Sequence, residues 1–190
     1  MLTNQMFRDS FARALPYDPY LATGKPHHRE AWARADAAVS LHTAQRDLLA
    51  SFVRPIRVLV ISGTWCGDCA AQCPILRHIA SANPRAIDLR FVDRDREPAL
   101  AEAVRICGGL RVPTAIFANE DDDFVAILGD GTLARYRAKA AAHLGSACPL
   151  PGATVPTAEL AATIQDWVDE FERVHLLLRL SPKLRERYAD

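Results

Sequence analysis

The sequence carries no excess of charge of either sign, because 23 Lys and Arg are cancelled by 23 Asp and Glu. Nothing in that balance favours a polyanion, so nucleic acid is not expected as a partner. Long apolar runs are missing as well. The opening stretch MLTNQMFRDSFARALPYDPY is interrupted by Arg8, Asp9 and Arg13, where a secretion signal would need an apolar segment. No segment reaches the ~18 uninterrupted apolar residues of a membrane span. No membrane partner is therefore expected, and the expected compartment is cytoplasmic and reducing, where free thiols persist. Five cysteines, an odd number, exclude a fully paired disulfide scaffold. Internal repeats and low-complexity tracts are absent too.

What is present is a globular composition, 49% hydrophobic and 24% charged over 190 residues, enough for one domain with helical additions. Residues 1–28, with Pro16, Asp18-Pro19 and Gly24-Lys25-Pro26, read as an irregular leader. The proline-free run from Arg29 to Val53 places Leu41, Ala44, Leu48 and Phe52 at helical spacing and predicts one long helix. "IRVLVIS" (56–62) predicts a buried strand, followed by a helix to about Ala82 that Asn83-Pro84 ends. Ile87, Leu89 and Phe91 share one face of a second strand, and Glu97 to Cys107 is a further helix. "TAIFA" (114–118) and "FVAIL" (124–128) predict an antiparallel hairpin whose tip, "NEDDD" (119–123), is expected to be solvated. A helix then runs to about Leu144.

This alternation implies an α/β fold, a central mixed sheet flanked by helices. Residues 1–40 are expected to be a leader and helical extension, 41–145 the main domain, and 146–156 a linker. Residues 157–190 are expected to form a helix packing on the domain, since Leu160, Ile164, Trp167, Phe171, Val174 and Leu178 recur at amphipathic spacing. Trp32 and Trp167 fall on helical stripes and read as core.

The chemistry concentrates in "SGTWCGDCAAQC" (62–73), which holds three of the five cysteines. A structural zinc site asks for two ligand pairs, and Cys66-x-x-Cys69 is only one. Cys73 and Cys107 could complete four thiolates only if the fold gathers them, and the histidines lack ligand spacing. No metal and no bound cofactor is expected. A dithiol explains more. A strand that ends in C-x-x-C and enters a helix sets the first cysteine beside unpaired backbone N–H groups, which favour thiolate. The second cysteine, about one turn on, can attack a mixed disulfide formed by the first. Cys73 and Cys107 read as small packing residues, and Cys148 falls in the linker.

Trp65-Cys66-Gly67-Asp68-Cys69 resembles the active-site signature of the thioredoxin superfamily. Pro74, five residues after Cys69, is similar to the proline in that family's active-site helix, and Arg111-Val112-Pro113-Thr114, with Pro113 47 residues after Cys66, resembles its cis-proline motif. The resemblance covers about residues 41–145 and implies a thioredoxin-like fold and thiol–disulfide oxidoreduction. It implies Cys66 as nucleophile and Cys69 as resolving thiol, with Trp65, Val112, Pro113 and Thr114 shaping the substrate groove. It also implies a disulfide-containing protein or small molecule as substrate and a reductase as electron donor.

The sequence departs from the family between the cysteines and behind them. Gly67 and Asp68 lie where the thiol pKa is tuned, and Asp68 stands in place of the usual proline. Its carboxylate is expected to oppose ionisation of Cys66 and so favour a reductant. Val60 occupies the place of the family's buried acid, and Phe91 that of a nearby lysine. Two other readings remain beside oxidoreduction: a thioredoxin-fold interaction scaffold that uses its terminal helices, and a metal–thiolate site.

Overall fold

A computed structural model describes residues 1–144 and 158–189. Its core is a four-stranded sheet in the order β2-β1-β3-β4, formed by β1 (Ile56–Ser62), β2 (Ile87–Asp93), β3 (Thr114–Ala118) and β4 (Phe124–Gly129). β1 runs parallel to β2 and antiparallel to β3, and β4 closes an antiparallel hairpin on β3, so the sheet is mixed. The two inner strands are the apolar runs: every residue of β3 is buried, and in β1 only Arg57 is partly exposed. Strands covered on both faces need such unbroken apolar character.

The parallel pair requires a crossover, which α5 (Gly67–Ala82) supplies by packing along β2, α3 and α4. Helix α6 (Pro98–Ala103) is shorter than the sequence suggests. The chain turns at Cys107 and Gly108, both with positive φ, between the bridged pair Ile106 and Gly109. Cys107 is therefore an exposed turn residue and not the packing residue expected. Helix α7 (Leu133–Leu144) follows β4.

Residues 1–28 are not irregular. Thr3 caps α1 (Asn4–Arg13), and α2 (Tyr17–Ala22) follows. Phe7 and Phe11 stack one helical turn apart, and Tyr17 and Tyr20 both lie against Phe91 of β2. A pattern built on so few apolar residues gains its stability from packing rather than from its own periodicity. Between α1 and α2, Leu15 exchanges two backbone hydrogen bonds with Phe91, a single antiparallel rung on the outer edge of β2.

The expected helix from Arg29 to Val53 is two helices, α3 (Pro26–Ala38) and α4 (Thr43–Ala50). His42 caps α4: its ring accepts from the Gln45 amide while the Gln45 side chain accepts from the His42 amide. At the other end of the chain, α8 (Glu159–Leu180) buries Ile164, Trp167, Phe171, Val174 and Leu178, and α9 (Pro182–Tyr188) follows. The linker expected at 146–156, with Cys148, lies outside the described residues.

The hairpin tip 119–123 is not solvated as expected. Asp122, 7% exposed, pairs with Arg8 of α1 and with Arg57 of β1. Asp123 accepts from Asn4 and Lys183, and Asp121 accepts from Arg187 and Tyr188. Glu120 pairs with the buried Arg54, which also donates to the Leu184 carbonyl. The acids thus bind α1 and α9 to the sheet at the end remote from Ser62.

Candidate active site

Strand β1 ends at Ser62, and the turn 63–66 carries the chain into α5, where Cys66 is the N-cap. The turn closes on a hydrogen bond from the Cys66 amide to the Gly63 carbonyl, at 2.9 Å. Glycine at 63 has a steric cause: a Cβ there would come within 2.6 Å of the Trp65 ring, which folds back over it. Trp65 is 45% exposed and carries the Arg94 guanidinium 4.6 Å from its ring centroid. From behind, the buried Trp32 of α3 donates its indole N–H to the Thr64 carbonyl at 2.9 Å.

Cys66 is partly exposed and Cys69 is fully buried, and neither forms a disulfide in this structure. The Cys66 thiol points at the Val112 carbonyl, sulfur to oxygen 3.7 Å. The Val112–Pro113 peptide is cis. Residues from the two distant segments, Trp65 to Cys69 and Val112-Pro113, therefore meet at one place. Thr114 is fully buried and donates its hydroxyl to the Arg111 carbonyl at 2.8 Å, so it shapes this loop from within. The next turn is tied on through Asp130, whose amide donates to the Pro113 carbonyl while its side chain takes Arg111 and Tyr136.

Gly67 lies in open space, with nothing near the position a Cβ would take, so it leaves the flank of Cys66 clear. Asp68 is an ion-pair partner of α7. Its carboxylate accepts from Arg135 at 2.6 Å and Lys139 at 2.8 Å, both on α7, and these partners hold its pKa down against burial. Its charge is thus met by two cations before it reaches Cys66. Asp68 anchors α7 to the first turn of α5.

The balance at the Cys66 thiol is set by opposing causes. The hydrogen bond shared with Cys69 is the main cause raising the Cys66 thiol above its ordinary value, and burial adds to it. The backbone amides of Cys69 and Asp68 pull the other way, as a helix start should, but they lose. Burial pushes Cys69 up as well.

Three contributors gave little sign in the sequence. Ser62 ends a strand that is apolar but for Arg57, and its hydroxyl lies 3.6 Å from the Cys73 sulfur. The fully buried Gln72 of α5 donates to the Asp130 carbonyl and accepts from the Trp167 indole, joining α5 to the Asp130 turn and to α8. Trp32 is core, as its stripe implied, but it also braces the dithiol turn. Val60 and Phe91 face one another in the β1–β2 register, both buried and apolar. Among the described residues no group of three or more His, Cys, Asp or Glu is arranged to hold a metal ion, and Cys107 is exposed while Cys69 and Cys73 are buried. Likewise, no described helix is long and apolar enough to cross a membrane.

A mixed four-stranded sheet flanked by helices, with a C-x-x-C pair opening the helix after its central strand, defines a thioredoxin-like protein. Residues 14–130 match the family described as thioredoxin. That is more than half of the chain, which belongs to this family and, as the cysteine motif implied, to the thioredoxin superfamily. No curated protein matches the sequence.

Two solved structures share the fold at low identity. A protein of unknown function from Pseudomonas aeruginosa aligns with a TM-score of 0.67 and 16% identity, covering 86% of this chain and 93% of its own. An HIV epitope scaffold aligns with a TM-score of 0.65 and 18% identity, over 88% of this chain and 95% of its own. Shares this large cannot be confined to residues 14–130, so parts of the flanking helices belong to the common fold. Mitochondrial thioredoxin 3 of Saccharomyces cerevisiae, in oxidized form, overlaps 51% of this chain and 89% of its own, at 22% identity and a TM-score of 0.34.

Proposed function

We propose that this protein is a thiol–disulfide oxidoreductase working as a reductant through Cys66 and Cys69. The observation that carries the proposal is positional: a partly exposed sulfur at a helix N-cap, 3.7 Å from the Val112 carbonyl, with a second, buried thiol behind it. Cys66 attacks a substrate disulfide, forming a mixed disulfide and releasing one substrate thiol. Cys69 then attacks the Cys66 sulfur and frees the other. Trp65, with Arg94 on its face, and the Val112–Pro113 loop would line the approach to Cys66.

The raised thiols support the reducing direction, because a dithiol that gains little from ionisation gives up its electrons more readily. A disulfide-bearing protein or small molecule is the proposed substrate. A reductase would restore the dithiol in a reducing, cytoplasmic setting, and no bound cofactor enters the exchange. The test is reduction of insulin by the full chain with dithiothreitol as recycling reductant, with Cys66→Ser as control. Turnover lost in Cys66→Ser supports the proposal. Equal rates for both proteins, or none for either, favour a scaffold that keeps the fold without the chemistry. In Cys69→Ser, substrates should remain covalently attached to Cys66.

A further inference from the structure

The approach to Cys66 has two banks. Trp65 forms one, and the segment Leu110-Arg111-Val112 forms the other, since the Val112 carbonyl meets the Cys66 thiol at 3.7 Å. Arg94, just past the end of β2, reaches both. Its amide donates to the Ser62 carbonyl at 2.8 Å, which fixes its backbone beside the end of β1. Its guanidinium lies 4.6 Å from the centroid of the Trp65 ring, and its Nη1 donates to the Leu110 carbonyl at 3.5 Å. A planar guanidinium stacked on an aromatic face and tied at one nitrogen gives up little further freedom when it takes a ligand.

The donors of Arg94 are only partly used. Its Nε donates to Asp95 at 2.9 Å and its Nη1 to Leu110, while Nη2 has no partner among the described residues. Asp95 is a largely exposed neighbour in sequence, so this pairing is screened by water and yields little. Arg111, half exposed on the other bank, adds a second cation, and its partner Asp130 is buried and already holds the Tyr136 hydroxyl. Asp68, the acid within the dithiol motif, is met by Arg135 and Lys139. The dithiol thus opens beside a guanidinium with N–H donors to spare, and each carboxylate named here already has a cation.

We infer that this protein prefers disulfides carrying a carboxylate close to the sulfur, and that Arg94 binds that carboxylate while the sulfur lies at Cys66. The inference rests on the dithiol chemistry proposed above and names its substrate class. Arg94 is then a specificity-determining residue, because hydrogen bonds from a guanidinium to a carboxylate are among the strong ones and suit its planar fork. An incoming carboxylate exchanges with the exposed Asp95 and breaks no buried pair, so little is lost against what it gains. Each turnover breaks one substrate disulfide and forms the Cys66–Cys69 disulfide. The two carboxylate-bearing thiols released carry away the two protons and two electrons of the dithiol.

The experiment uses the full chain with Cys107→Ser and Cys148→Ser, reduced and freed of reductant, and reads the loss of protein thiols after acid quenching. Two matched pairs of disulfides are the probes: dithiodipropionate against its uncharged diamide, and the disulfide-linked dimer of acetyl-Glu-Cys-amide against that of acetyl-Gln-Cys-amide. Each rate is divided by that of dithiothreitol with the same disulfide, which removes intrinsic differences in reactivity. The charged member of at least one pair should react about tenfold faster, as one charge-assisted hydrogen bond predicts. The pair that shows the preference tells a small carboxylated disulfide from an acidic peptide. Arg94→Gln should erase the preference while leaving the uncharged member within about twofold, Arg94→Lys should keep part of it, and salt at about 0.5 M should shrink it. Equal normalised rates within both pairs, or a preference that survives in Arg94→Gln, overturn the inference and leave the dithiol chemistry standing. So does equal slowing of charged and uncharged members in Arg94→Gln, which marks a packing role against Trp65. A wild-type chain that loses no thiols to any of these disulfides overturns both.

Discussion

Replacing Trp32 by phenylalanine removes one hydrogen-bond donor from beneath the dithiol turn and leaves the rest of the turn unaltered. In the wild type the indole N–H meets the Thr64 carbonyl at 2.9 Å, and the ring is fully buried between Tyr17 and Tyr20. The phenyl ring cannot donate, so the carbonyl is left without this partner inside the core, at a cost of about 1–2 kcal/mol. The smaller ring leaves unfilled space in a closed core and adds about 1 kcal/mol. With a urea slope of about 2 kcal/mol per molar, the total lowers the unfolding midpoint by roughly 1 M. A second measurement separates bracing from bulk stability. The rate of Cys66 alkylation should change several-fold in Trp32→Phe, because Thr64 is two residues from the thiol. It should not change in Leu49→Ala, a core truncation on α4 of similar or greater cost. A Trp32→Phe protein less stable by the expected amount, but with wild-type alkylation, would refute the claim that α3 holds the turn.

Three other perturbations have signs fixed by the structure. His175 accepts from the backbone amides of Val53 and Arg54, and burial and Arg179 lower its pKa. A lowered folded pKa contributes stability that is complete above the unfolded value of about 6.5 and lost as pH falls through the folded one. Urea midpoints should therefore drop between pH 7.5 and 5.5 in the wild type and drop less in His175→Gln, and equal drops would refute the assignment. Lys139→Met removes one of the two cations on Asp68, so the freed carboxylate should slow Cys66 alkylation a few-fold at fixed pH, and an unchanged rate would show that Asp68 does not act on the thiol. Asp122→Asn keeps a residue type that tolerates the positive φ found there and removes only the charge binding Arg8 and Arg57. It should cost about 1–3 kcal/mol and speed amide exchange in residues 4–13, and unaltered exchange would show that α1 is held by its phenylalanines alone.

Much of this architecture was legible in the sequence, for identifiable reasons. β1, β3 and β4 are short β-branched or aromatic runs between turn residues, and their bounds fell within a residue of expectation. α5 announced itself through a strand ending in cysteines and a breaker after Ala82. The two distant motifs at 65–69 and 111–114 converge because β1 and β3 are neighbours, with Ile61 opposite Thr114. The helices at 4–22 were hidden because prolines and charges mask a few aromatic contacts that exist only once β2 is in place. The break after Ala38 was hidden because a histidine and a glutamine close the cap where serine or aspartate would have marked it. The role of the acids at 119–123 could not be foreseen, since their cations are scattered from Arg8 to Arg187.

The lone rung between Leu15 and Phe91 has a consequence for how copies of this molecule meet. A rim of unpaired strand invites another chain to add itself, and proteins that stay apart disguise their rims. Along β2 the visitor would find one place already taken at Phe91, then the mutually paired Asp88 and Arg90. At the opposite rim the pairing between β3 and β4 slips at Phe117 and Ala118, which disturbs any regular template there. Crowded solutions should therefore hold separate molecules rather than ribbons joined sheet to sheet.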